Sequence, residues 1–235
     1  MTFSFKRVNA ILQKDYKDFS RNFAVSIVII IPPITAAIYG RMGIESIDSF
    51  YMLINMAFSM VAAFVQCCLI AEEKEKNTLR GLMLSPASTS EILTGKSLLS
   101  FILTIGVIIF TVILAEYRPQ NIGLVTIAII LSSFFYIGLG TLLGLFSKSV
   151  MEASVIVLPV IIIFSIGSFI TGLASQYPIL KLANYLPNIQ LIELAKQVEI
   201  GAGFGDVMPN LGIILVWVML IVVLTTITYR KRMVN

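Results

Sequence analysis

The side chains equipped for chemistry crowd into one stretch, Glu72 to Lys96, which reads EEKEKNTLRGLMLSPASTSEILTGK. Glu72, Glu73, Lys74, Glu75 and Lys76 place five consecutive charges directly behind an apolar run. A mid-membrane charge costs about 2.5–3.5 kcal/mol against about 0.3–0.6 gained per Leu or Ile, so these five are expected to close that run in water. Ser88, Thr89, Ser90 and Glu91 carry the pattern of a capping box, in which the Ser hydroxyl and the Glu carboxylate satisfy free amides at the start of a helix. Thr94, Gly95, Lys96 and Ser97 contain the Gly-Lys-Ser that ends a phosphate-binding loop, but the first glycine of that motif would fall at Ser90. Such a loop also follows a strand, and this one leads into a second apolar run, so the match is read as fortuitous.

Catalytic chemistry has no foothold in the sequence. It contains no His, and it shows no nucleophile motif, no metal-ligand cluster and no carboxylate pair in a definable pocket. The apolar runs also lack the Asp, Glu, Lys or Arg of a proton relay or charged ion path. The chain is expected to be no enzyme, with no catalytic residue, metal or cofactor of its own.

The elements that position residues 72–96 follow from composition. At 57% hydrophobic and 13% charged, the chain is far from the soluble average of about 45–50% and 25%. A bilayer core about 30 Å thick takes about 20 helical residues to cross. Six runs of that order appear, at residues 23–39, 50–71, 97–115, 122–146, 150–174 and 211–229. They are continuously apolar instead of alternating, which predicts helices and excludes a barrel. The fold class is therefore an all-α integral membrane protein in one domain, residues 1–235. The loop 72–96 lies between spans 2 and 3, and an outer segment, 175–210, lies between spans 5 and 6.

Thirteen of the 17 Lys and Arg fall on one side of this topology. The positive-inside bias then puts both termini and residues 72–96 in the cytoplasm. The basic residues are spread over four segments without a recognition motif, so no nucleic-acid partner is expected.

In chain order, Val8, Ile11, Leu12, Tyr16, Phe19 and Phe23 recur at helical spacing, opposite Lys6, Arg7, Lys14, Lys17 and Arg21. Residues 1–22 are read as an amphipathic helix in the membrane interface, with Phe19 in the acyl boundary and Arg7, Lys14 and Arg21 toward anionic lipid. A cytoplasmic helix packed on a protein surface is the alternative. With no small-residue cleavage site behind it, the first span is expected to be retained. Pro32 and Pro33 are expected to kink or break that span. In span 2, Asn55 and Gln66 join helices, and Cys67 and Cys68 are apolar filler. Thr78 to Leu84 forms a short helix with Leu79, Leu82 and Met83 on one side, ended by Ser85 and Pro86. Gly140 and Gly144 permit close helix packing, and Lys148 and Glu152 form a solvated pair. In the outer segment, a helix from Asn188 to Val198 is expected, with Gly201, Gly203 and Gly205 as a hinge into the last span.

The acidic-basic run Glu73 to Lys76, then Thr78 and Leu79, Ser85 and Pro86, and Gly95 and Lys96 resemble the corresponding loop of ABC-2 type transporter permeases. Asn77 and Arg80 depart from the family's usual Gly and Glu. The resemblance implies a coupling helix seated on a separate ATPase, with Glu73, Glu75, Thr78, Leu79, Leu82, Met83, Ser85 and Pro86 at the contact. It further implies two ATPase copies that bind ATP and Mg, a second permease copy, re-entrant helices in the outer segment, and a place in the plasma membrane. Export of an amphipathic or hydrophobic substrate, such as an antimicrobial or cytolytic peptide, a drug or a lipid-like molecule, is the function implied. An ATP-independent channel or secondary carrier, and an assembly protein without transport, are the alternatives.

Overall fold

The computed structural model describes residues 3–76, 78, 87–165 and 178–234. It is built from helices, with no strand among the described residues. Five of them are long and apolar enough to cross a membrane, Phe23–Arg41, Ile47–Glu75, Ser90–Leu114, Ile122–Phe146 and Phe204–Tyr229. The chain is a multi-pass membrane protein.

Helix α1 (Phe5–Arg21) precedes the first span, which is segmented into α2 (Phe23–Ser26), a 3-10 turn (Ile27–Ile30) and α3 (Ile31–Arg41). Pro32 and Pro33 sit in the first turn of α3, where a missing backbone donor is tolerated, and the 3-10 turn directly before them is the interruption of the span that was expected. The second span joins α4 (Ile47–Ala57), a π-helical turn (Phe58–Ala63) and α5 (Phe64–Glu75). It is the axis of the molecule, with 89% of its most apolar window buried. Against it pack α6 (Thr89–Leu114) and α7 (Ile122–Phe146), and α11 (Phe204–Val234) packs on the other side of α7.

Polar side chains pin this axis. Gln66 donates to Thr141 on α7 at 2.9 Å and accepts from Ser100 on α6 at 2.6 Å, which is the joining role expected of it. Asn55 donates to the Asn188 carbonyl at 3.5 Å. Phe58 stacks on Tyr136 with centroids 5.0 Å apart. Cys67 and Cys68 are free and buried, the apolar filler expected.

Of the fifth span expected at 150–174, residues 150–165 are described, and they are apolar and helical. A turn at Val157 separates α8 (Val150–Ile156) from α9 (Leu158–Ser165), and residues 166–177 lie outside those described. Pro159, in the first turn of α9, suits a helix start better than a helix interior. Glu152 accepts from the Lys148 backbone amide at 2.6 Å, so the expected solvated pair is instead a cap at the head of α8.

A 3-10 segment (Pro178–Tyr185) leads to α10 (Pro187–Glu199), one residue longer at each end than expected. Helix α10 is embedded, with Asn188, Leu191, Leu194 and Ala195 fully buried against α4, α7 and α11. Of the three glycines expected to form a hinge, Gly201 adopts the left-handed region (φ 87°) and Gly205 is already inside α11.

Candidate functional site

The charged run at the end of α5 is a junction inside the protein. A helix places successive side chains about 100° apart, so consecutive residues address different neighbours. Glu73 turns toward α1 and α6, and its carboxylate accepts from Lys14, from the Thr78 hydroxyl and, at 2.9 Å, from Lys96. Lys74 reaches the end of α7 and donates to the Leu145 carbonyl at 2.7 Å and to the Ser147 carbonyl. A cation there satisfies orphan carbonyls and the negative end of the helix dipole. Glu75 accepts from the Val150 amide at 2.9 Å, at the positive end of α8. Glu72 pairs with Lys76 at 2.6 Å, and Lys76 lies 3.8 Å from Asp18 of α1.

The centre of this junction is dry. Lys96 is 0% exposed, Asp15 2% and Glu73 3%. The Lys96 ammonium donates to both oxygens of Asp15, at 3.1 and 3.2 Å, as well as to Glu73. The expectation that residues 72–76 close the span in water fails for Glu73, because two ammonium groups and a hydroxyl replace its water. Burial pushes the Asp15 carboxyl up from its usual value, and this outweighs the Lys96 ammonium beside it. For Lys14, burial acts downward, but the bond to Glu73 and the charges of Glu73, Asp15 and Asp18 hold it above its usual 10.5.

The sign of the Lys14 shift fixes a pH effect. Its pairing stabilises the fold fully below pH 10.5, its unfolded value, and that stabilisation is lost as pH rises through the higher folded value. Lys14→Gln is therefore expected to flatten the alkaline limb of the stability profile, modestly, since Lys14 is 39% exposed and screened. An unchanged alkaline limb in a thermal-unfolding series would remove Lys14 from the junction.

Helix α1 docks on the start of α6 through Gly95. A Cβ there would lie 2.9 Å from the Ile11 side chain and 3.1 Å from the Val8 carbonyl, so only glycine admits this approach. The Gly-Lys pair is thus a docking device, with Gly95 admitting α1 and Lys96 holding it. A second tie lies one turn away. Glu91 receives Arg7 through two nitrogens, at 2.7 and 3.0 Å, and the Ser88 amide at 2.7 Å, while Ser88 accepts from the Glu91 amide at 3.3 Å. The capping box at the head of α6 is present as expected, and it is joined to α1. Ser88→Ala is expected to cost about 1 kcal/mol through the lost cap. A loss under a few tenths of a kcal/mol in unfolding measurements would deny the cap that role.

These contacts revise the picture of α1 as a helix with its rings in lipid. Phe19 is buried in the protein core, Val8 and Ile11 face α6, and Arg7 and Lys14 are engaged by carboxylates. Arg21, with Lys6 and Lys17, is exposed, as are the rings of Phe5, Tyr16 and Phe23. Of the residues expected at a partner contact, Glu73, Glu75 and Thr78 are at the junction. Leu79, Leu82, Met83, Ser85 and Pro86 lie outside the described residues. Asp15 and Lys96 were not anticipated as members.

At the opposite end of the bundle, a cavity of about 420 Å³ is lined by Glu45, Phe50, Glu116, Tyr117, Arg118 and Glu199. Tyr117 donates to Glu199 at 2.8 Å, and Lys196 pairs with Asp48 at 3.0 Å, fastening α10 to α4 and the α6–α7 loop.

The architecture is that of a polytopic membrane component with a charged junction at the end of α5 and the start of α6. The sequence profile of the family described as ABC-2 family transporter protein matches residues 38–227. The chain belongs to that family, which makes it a membrane transport component and not itself catalytic. Among curated proteins, none matches it. Glu73, Glu91 and Lys96 fall within the matched region, and Asp15 and the rest of α1 precede it.

Proposed function

We propose that this chain is the permease subunit of an ATP-driven exporter in the plasma membrane. The observation that carries this reading is the junction of Glu73, Lys74, Glu75 and Lys96, which ties the end of α5, the helix that residues 77–86 follow in sequence, to α1, α6, α7 and α8 at once. A push on that segment would reach four helices through ion pairs and helix caps. The segment would form a short coupling helix, with Leu79, Leu82 and Met83 toward a separate ATPase that binds ATP and Mg. The junction end and both termini would face the cytoplasm, in keeping with the positive-inside bias.

Two permease copies and two ATPase copies would enclose the path. The chain would cross six times, α8 and α9 beginning the fifth crossing, and α10 would be part of a re-entrant outer segment. Lined by uncharged spans, the path suits an amphipathic or hydrophobic cargo, such as an antimicrobial or cytolytic peptide, a drug or a lipid-like molecule.

The test is co-expression with candidate ATPase subunits, followed by co-purification and by substrate screening for stimulated ATP turnover. Leu79→Asp and Leu82→Asp are expected to abolish co-purification and stimulation while membrane insertion is unchanged. Transport by the chain alone, without nucleotide, would overturn the proposal.

A further inference from the structure

Tyr229, near the end of α11, is 1% exposed, and its hydroxyl is buried without a hydrogen-bond partner. The ring forms a small apolar cluster with Ile70 of α5 and Leu145 of α7, against which Leu93 of α6 packs. Residues three apart on a helix share a face, so Ile70 sits one turn from Glu73 and Leu93 one turn from Lys96. The ring is thus seated beside the charged junction, near enough for the charge of Glu73 to act on its hydroxyl. A buried hydroxyl that makes no bond weighs against the state in which it is found, by about tenfold in population. A second state in which it is bonded is favoured by that factor.

Glu73 can accept that bond. Its Oε1 takes both ammonium groups, Lys14 and Lys96, and its Oε2 takes the Thr78 hydroxyl. Lys14 and Lys96 stand on α1 and α6, which are docked on each other through Gly95. Thr78 stands at the start of the inter-span segment 77–86, so displacement of that segment removes the donor on Oε2 and leaves the two on Oε1. A carboxylate oxygen bared in a dry site calls for a new donor. The Tyr229 hydroxyl supplies one without adding charge.

We infer that Tyr229 is a positioning residue whose hydroxyl takes over Oε2 of Glu73 when Thr78 leaves it. No described side chain of α11 bonds to the junction in the present state, so the exchange would draw a fifth helix into the movement. The inference rests on the reading of residues 77–86 as the segment that an ATPase moves.

Unfolding of the full chain alone, read by the reaction of Cys67 and Cys68 with a thiol dye, tests the exchange through a double-mutant cycle. Tyr229→Phe in the natural chain loses no bond, and the unfolding equilibrium constant is expected to rise less than about twofold or to fall. Thr78→Val vacates Oε2, and in that background Tyr229→Phe is expected to favour unfolding about tenfold, the usual worth of a hydrogen bond to a charged group. Thr78→Ala replaces Thr78→Val if that variant does not fold. A tenfold cost of Tyr229→Phe in the natural chain would overturn the inference, as would an unchanged equilibrium on adding it to the Thr78 variant. With a co-purified ATPase, Tyr229→Phe is expected to lower the maximal stimulated ATP turnover about fivefold at unchanged KM for ATP, a split that a purely structural role would not produce. Undiminished turnover would overturn the inference too. The cycle needs no partner, so failure of every ATPase to couple would overturn the permease reading and leave the exchange at Glu73 to be decided by the cycle.

Discussion

Lys96→Met is expected to remove about 3–5 kcal/mol of folding stability, the usual result of taking one partner from a buried ion pair. Lys96 is fully buried, and its ammonium serves both oxygens of Asp15 and one of Glu73. Without it, two carboxylates remain in a dry site where, among the described residues, Lys14 is the cation left, bonded to Glu73 and 4.0 Å from Asp15. Asp15→Asn should cost much less. Burial raises the Asp15 pKa above the ordinary 3.8, so the folded state favours its neutral form. The sign follows: the neutral carboxyl favours the fold below pH 3.8, and that advantage is lost as pH rises through the folded value. At neutral pH the ionised Asp15 weighs against folding, and Asn removes that charge while keeping a similar shape. The double variant Asp15→Asn/Lys96→Met is accordingly expected to be more stable than Lys96→Met alone, a coupling between contacting residues. The protein carries its own reporter, because Cys67 and Cys68, its two cysteines, are 0% and 2% exposed and become reactive to a thiol dye only on opening. Unfolding of Lys96→Met within 1 kcal/mol of the natural protein would show that the buried charges are solvated or neutral, and the junction would lose its mechanical role.

The helices and their approximate limits were legible because lipid enforces a simple rule, about 20 apolar residues per crossing. Expected and observed bounds agree for α7 to the residue and for α10 to one at each end. The capping box at Ser88 and the joining role of Gln66 were legible too, since each rests on local chemistry that few arrangements satisfy. The partners of the charged run were not. Sequence gives the cost of putting Glu73 in lipid but not the presence of Lys14 and Lys96, which come from segments 59 and 23 residues away. A signal was nevertheless there. Val8, Ile11 and Phe19 form the buried stripe of α1, and Asp15 stands on that stripe, four residues from both Ile11 and Phe19. A carboxylate on an apolar face asks for a buried cation. The best lone candidate was Lys96, at the mouth of an otherwise uncharged run, and the resemblance to a phosphate-binding motif drew attention to what Lys96 does not do. The kink or break expected at Pro32 and Pro33 is the 3-10 turn ahead of α3, and only its exact place was not legible. Proline is disruptive inside a helix and favourable in its first turn, and periodicity alone does not tell which turn it occupies.

Gly140→Ala is the second large effect expected, and it is set by backbone geometry alone. A Cβ at Gly140 would stand 2.3 Å from the Ala63 carbonyl oxygen and 2.9 Å from its Cα. Neither atom has a torsion by which to retreat, so α7 must move off the second span at the end of its π-helical turn. That movement would pull at the Phe58–Tyr136 stack and at the Gln66–Thr141 bond, whose α7 partner is the next residue. Overpacking a close-packed interior costs about 1–3 kcal/mol, and a backbone obstacle puts this site at the upper end. Three further glycines form a graded series with it. At Gly144 the obstacles are the Cys67 carbonyl and the Ile70 side chain, both at 2.7 Å, so Ala there should cost somewhat less. At Gly95 the nearest atoms, Cβ and Cγ2 of Ile11, stand farther off at 2.9 Å, and the effect should be smaller again. Gly106, in the middle of α6, has nothing within 4 Å of its Cβ direction. There Ala is expected to stabilise by about 0.5–1 kcal/mol through helix propensity. Ranked by unfolding temperature, the four alanine variants should run Gly140, Gly144, Gly95, Gly106 from least to most stable. Gly140→Ala as stable as Gly106→Ala would mean that α7 does not approach the second span this closely. The junction at Glu73 would then lose the rigid support through which a push could travel.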